Sequence, residues 1–75
     1  MISPHQIRGA RAMLGLTQAE LAKRAGISTT GLNNLESGAS DPKASTLRAI
    51  QTALESAGVE FIPENGGGAG VRLRK

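Results

Sequence analysis

The side chains best suited to chemistry in this chain are short amides and hydroxyls, Thr29, Thr30, Asn33 and Asn34, with Ser37 behind them, in the run STTGLNNLES. With Leu32 and Leu35 turned to a core at helical spacing, these polar residues share the opposite face. An asparagine carboxamide pairs bidentately with N6 and N7 of adenine. A threonine offers its methyl to the thymine methyl and its hydroxyl as a hydrogen-bonding group. A face kept polar for solubility alone usually carries Lys and Glu, and Thr29 to Asn34 contains neither. Ser28, Ser40 and Lys43 flank the run as candidate phosphate ligands, which position a duplex without reading it. Lys23 and Arg24 read as solvated charges.

Catalysis has no comparable cluster. His5 is the one histidine, cysteine is absent, and the sole aspartate, Asp41, adjoins Pro42. No Ser or Thr has an evident base. The glycine run Gly66 to Gly68 lacks the Lys and Ser or Thr of a phosphate loop. Neither an enzyme nor a metal or cofactor site is expected.

The polar face needs a helix, and the sequence supplies the means to start and stop one. Thr17 and Glu20 have the spacing of a capping box, so a helix starts at Gln18. Leu21, Ala22 and Ala25 share a face, and Gly26 can end the helix in a left-handed conformation. Ile27 tucks beneath the turn, Ser28 caps a second helix, and Leu32 and Leu35 carry its apolar stripe to Gly38. A helix-turn-helix is therefore expected over residues 17–37, with residues 28–37 as the reading helix. Gly31 departs from helix propensity by roughly 1 kcal/mol relative to Ala. It either permits close approach of DNA or of the fourth helix, or is a tolerated defect.

Two more helices complete a core. Ser3, Pro4 and Gln6 form a cap, a first-position proline and a capping-box partner for a helix over residues 4–14. Leu47, Ile50 and Leu54 mark another over residues 44–57, ending at Gly58. Leu14, Leu16, Leu21, Ile27, Leu32, Leu35, Leu47, Ile50 and Leu54 form the expected core, with Val59 covering an edge.

At Gln18, Leu21, Ala22, Gly26, Ile27, Leu32 and Leu35 the sequence resembles the helix-turn-helix domains of the phage-repressor type, the Cro and lambda repressor class called the XRE family. The resemblance covers roughly residues 5–59. It implies a mainly α, four- to five-helix lambda-repressor-like DNA-binding domain, here followed by a short C-terminal β-hairpin or strand extension. It further implies base contacts from Thr29, Thr30 and Asn34, with Asn33 beside them, and a DNA backbone or neighbouring-base contact from Gln18. Arg11 and Glu36 match a structural ion pair tying the first helix to the reading helix.

Seventy-five residues with nine Lys and Arg against six Asp and Glu give a net charge of +3, a mild excess that suits a polyanion. A domain this small buries only about 60% of its unfolded surface, so a second copy would help it. Cysteine usage, the lack of a long apolar run and the lack of a secretory signal suggest a cytoplasmic protein, nucleoid-associated through DNA. Beyond residue 58 the character changes. Val59 to Ile62 and Val71 to Leu73 are β-prone, and the glycine-rich stretch between them suits a turn. Residues 1–58 are thus expected to bind DNA. Residues 59–75 are expected to dimerise through Phe61, Ile62, Val71 and Leu73, because a lone hairpin is marginal in water. The other reading of this segment is a glycine-rich tail whose Arg72, Arg74 and Lys75 brush phosphates.

The expected partners are double-stranded DNA, a second copy and a regulatory protein, with no membrane and no cofactor. The expected function is a homodimeric transcriptional regulator on a pseudo-palindromic operator. The alternative is an antitoxin-type or adaptor module that captures a protein through its C-terminal segment.

Overall fold

A computed structural model describes residues 2–63 and 66–74. The order is α1 (Pro4–Leu14), α2 (Gln18–Ala25), α3 (Thr29–Ser37), α4 (Ala44–Ala57), β1 (Val59–Ile62) and β2 (Gly70–Leu73). The helical bounds coincide with those expected from the sequence because polar caps and glycines set them locally. Ser3 Oγ accepts from the Gln6 amide at 3.2 Å while Gln6 Oε1 accepts from the Ser3 amide at 2.8 Å. Thr17 and Glu20 repeat this reciprocal box at 3.0 and 2.8 Å. Ser28 Oγ accepts from the Gly31 amide at 2.9 Å. Each cap satisfies an amide that has no partner inside its helix.

Gly26 makes the corner of the helix-turn-helix. Its φ is 74° and no atom lies within 4 Å of a Cβ built there, so the demand is conformational rather than spatial. A side chain in that left-handed region costs roughly 1–2 kcal/mol. The amide of Ile27 then reaches back to the Ala22 carbonyl at 3.0 Å, which closes α2 and turns the chain into α3.

Ile7, Leu21, Leu32, Ile50, Leu54 and Val59 are the large side chains that are fully enclosed. Truncating any of them to Ala is expected to cost roughly 2–5 kcal/mol. Two expectations are revised here. Leu14, Leu16 and Ile27 are only partly buried and pack on the rim, while Ile2, Ile7, Ala10 and Ala22 join the core. Val59 is central rather than peripheral, because Gly58 returns the chain beneath α4 and the first residue of β1 lands in the core.

The C-terminal segment is an antiparallel hairpin, not a free tail, with Val59 opposite Leu73, Glu60 opposite Arg72, Phe61 opposite Val71 and Ile62 opposite Gly70. Glu64 and Asn65 of the expected turn, and Lys75, lie outside the described residues. The hairpin lies against α1. Gln6 Nε2 donates to the Gly70 carbonyl at 2.8 Å and the Ile62 carbonyl at 3.4 Å. Gly9 lets Val71 approach so closely that a Cβ there would stand 3.3 Å from Val71 Cγ1. Phe61 and Val71 pack against the core, whereas Glu60 and Arg72 form an exposed cross-strand ion pair at 2.7 Å. Arg74 continues the ladder by donating its amide to the Gly58 carbonyl at 2.8 Å. By the alternation of antiparallel pairing, the backbone groups of Val71 and Leu73 therefore point away from β1.

Candidate nucleic-acid interface

The polar face of α3 is displayed as its sequence implied. Leu32, Leu35 and Glu36 are buried, while Thr29, Thr30, Asn33, Asn34 and Ser37 are exposed. Ser37 is not a free donor, since its hydroxyl donates to the Asn34 carbonyl at 3.1 Å. Ser28 uses an oxygen lone pair as the α3 cap, which leaves its hydroxyl hydrogen available for a phosphate. Ser40 and Lys43 are exposed in the connection to α4. Lys43 occupies the α4 cap position without a side-chain cap bond. The cationic side chain and the unfilled amides of that helix start favour an anion together.

Gly31 faces the cap of its own helix and not α4. A Cβ at this position would lie 3.0 Å from Ser28 Oγ, with no atom of α4 within 4 Å. The contact is tight, yet Gln6 and Glu20 hold the same position behind the Ser3 and Thr17 caps, so a cap of this kind also accommodates a side chain.

Glu36 holds the face in place from behind. Its side chain is only 3% exposed, and its two oxygens receive Arg11 Nε at 2.9 Å and Arg11 Nη2 at 3.0 Å. Arg11 also donates through Nη1 to the Leu16 carbonyl at 3.1 Å. One guanidinium thereby joins α1, the loop before α2 and α3, with the planar fork suited to a carboxylate. Arg8 adds a bond to the Glu36 carbonyl and meets His5 Nδ1 at 2.7 Å. No sequence pattern singles out Arg8, because the Glu36 carbonyl lies 28 residues away.

Gln18 was expected on the DNA backbone or a neighbouring base. In the structure its amide is engaged internally, donating to Glu36 Oε1 at 3.1 Å and to Asn33 Oδ1 at 3.3 Å. The start of α2 is thus fastened to α3. At the same helix start, the Thr17 backbone amide, and after it the Thr17 hydroxyl, hold the Glu20 carboxyl below the ordinary glutamate value, with Arg24 acting in the same direction.

Two short helices joined by a left-handed glycine, a buried brace behind α3 and an uncharged polar face in front define a helix-turn-helix unit. A helix-turn-helix family model matches residues 7–61, well over half of the chain. The chain belongs to this family, the XRE type of the Cro- and C1-like regulators, and is a DNA-binding regulator by class. No curated protein matches it. Among the described residues, no cluster of three or more His, Cys, Asp or Glu could hold a metal, and no helix is long and apolar enough to cross a membrane.

Proposed function

We propose that the chain is a homodimeric, sequence-specific transcriptional regulator acting on a pseudo-palindromic operator. The observation that carries this reading is the exposed, uncharged face of Thr29, Thr30, Asn33 and Asn34 on a helix braced by Arg11 and Glu36. Residues 28–37 enter the major groove, with Thr29, Thr30 and Asn34 as the main base contacts. Ser28, Ser40 and Lys43 take phosphates. A twofold pair would place its reading helices about 34 Å apart, one turn of the duplex.

Residues 1–58 supply the DNA contacts and residues 59–75 the contact with the second copy. Phe61 and Val71 serve from within by seating the strands on the core. Ile62 and Leu73 and the open edge of β2 meet the partner. Among the described residues, Leu73 at 52% and Met13 at 47% are the exposed large apolar side chains. Gln6 meets Gly70 and Gly9 meets Val71 along the seam between α1 and β2, and extending it by the rise of helix and strand is what would bring Met13 and Leu73 together in the proposed interface. An unpaired strand edge beside apolar side chains favours pairing with an identical edge.

Footprinting on the DNA flanking the gene tests the regulator. A twofold footprint is expected, abolished by Thr30→Ala with Asn34→Ala. Sedimentation of Leu73→Asp tests the second copy, with a shift to monomer expected. A protein that co-purifies on residues 59–75, with no footprint, would replace this reading with the antitoxin or adaptor role.

A further inference from the structure

We propose that Glu36 fixes the polarity of two carboxamides, so that Gln18 meets DNA with its carbonyl oxygen and Asn33 with its amide nitrogen. The inference rests on the DNA-reading role of α3 and sharpens it. A carboxylate already gripped by Arg11 can only accept, so the Gln18 atom 3.1 Å from Glu36 Oε1 must be the amide nitrogen. That nitrogen has two hydrogens, and the second points to Asn33 Oδ1 at 3.3 Å. Both donors of Gln18 are thereby occupied, leaving Oε1 as its free group. Asn33 must turn its oxygen to Gln18, which leaves its amide nitrogen on the exposed side of α3. The order Arg11, Glu36, Gln18, Asn33 is enforced by donor and acceptor chemistry at each step.

This arrangement changes what each residue can recognise. Gln18 cannot donate to a phosphate without giving up Glu36 or Asn33. It suits a base donor, the N6 amino group of adenine or the N4 amino group of cytosine. Asn33 suits an acceptor, which the duplex offers as purine N7, guanine O6 or a phosphate oxygen. Glu36 is a positioning residue that never touches DNA.

Two arms test the proposal on the full chain. In the first, side-chain amide spectra of the free protein should show a distinct, slowly exchanging Gln18 NH2 pair, while the Asn33 NH2 exchanges with solvent. In Glu36→Gln the Gln18 signals should approach those of a solvated carboxamide while the backbone spectrum remains folded. Unchanged signals in that variant overturn the proposal whether or not DNA is bound. In the second, the chain selects a duplex from a random library, and that duplex is altered atom by atom. Replacing the contacted N7 by carbon, or the contacted phosphate by a methylphosphonate, should weaken the wild type by on the order of tenfold and leave Asn33→Ala insensitive. Sensitivity to the first change identifies a base acceptor, and to the second a phosphate. A methylphosphonate effect that disappears in Gln18→Met instead overturns the proposal, because Gln18 would then be the donor. A wild type that selects no sequence overturns the DNA-reading role, and the amide spectra still decide the polarity.

Discussion

Arg11 grips Glu36 through two parallel bonds, at 2.9 and 3.0 Å, and by this pair α1 carries the back of α3. Glu36→Ala would leave the guanidinium with the Leu16 carbonyl alone and release Gln18. Breaking a buried pair costs roughly 3–5 kcal/mol. Arg11 retains 23% exposure and can recover some hydration, so about 2 kcal/mol is expected, or a fall in Tm of roughly 10 °C for a domain of this size. Thermal melts followed by circular dichroism check this, and an unchanged Tm would remove the pair from the account of stability.

Gly31→Ala separates helix propensity from cap geometry. Propensity alone promises a gain of about 1 kcal/mol. The new Cβ would press on the Ser28 oxygen at 3.0 Å, so the gain should be cancelled or reversed in the wild-type background. In a Ser28→Ala background the obstruction is gone and the same substitution should stabilise. Denaturant midpoints of the four proteins give the answer, and simple additivity would show that the contact does not matter.

The two kinds of DNA contact should separate in binding assays. Asn34→Ala and Thr30→Ala are expected to lose roughly 1–3 kcal/mol on the selected site and little on random DNA. Lys43→Ala should weaken all sequences alike and lower the salt slope by about one. Equal losses on both kinds of DNA for Asn34→Ala would move that residue from the base-reading group to the phosphate group.

The helices were legible because their limits are local. Ser3, Thr17 and Ser28 act on amides three residues away, and Gly15, Gly26 and Gly38 act on their own backbone. The Thr29 to Asn34 face followed from the same periodicity. Contacts between distant segments leave no local pattern, and the Arg11–Glu36 pair came from the family resemblance alone. Nothing near Gln18 reveals that Glu36 and Asn33 will occupy its amide, and no pattern around Val59 distinguishes a strand edge from the core. Leu14, Leu16 and Ile27 are as apolar as Leu21, yet they lie near helix ends and turns, where fewer elements can cover them.

Acid should weaken the α2 start in a predictable direction. Hydrogen bonding to Thr17 lowers the Glu20 carboxyl in the folded state. A lowered folded value means that the contribution is fully present above the unfolded value, about 4.3, and is lost as pH falls through the folded one. The stability advantage of wild type over Glu20→Gln should therefore be larger at about pH 6 than at about pH 2.5. Paired melts at the two pH values measure it. A constant difference would show that the carboxylate charge adds nothing to the box.

Gln6 performs two tasks with opposite ends of one amide, and substitution can separate them. Its oxygen closes the α1 capping box with the Ser3 amide, while its nitrogen holds the Gly70 and Ile62 carbonyls at the loop end of the hairpin. Gln6→Glu keeps the acceptor and turns a carboxylate toward two carbonyls, at a site only 5% exposed. The α1 start should survive, whereas the hairpin should loosen, because an acceptor facing acceptors in a buried place is unfavourable by roughly 1–3 kcal/mol. Gln6→Ala removes both functions and should destabilise both elements. Amide hydrogen exchange resolves the cases: in Gln6→Glu the amides of β1 and β2 should exchange faster while those of α2 and α3 keep their protection. Raising the proton concentration should restore part of the hairpin protection in that variant alone, since a neutral carboxyl regains a donor. Faster exchange spread evenly over the chain would mean instead that the hairpin and the helices open as one unit.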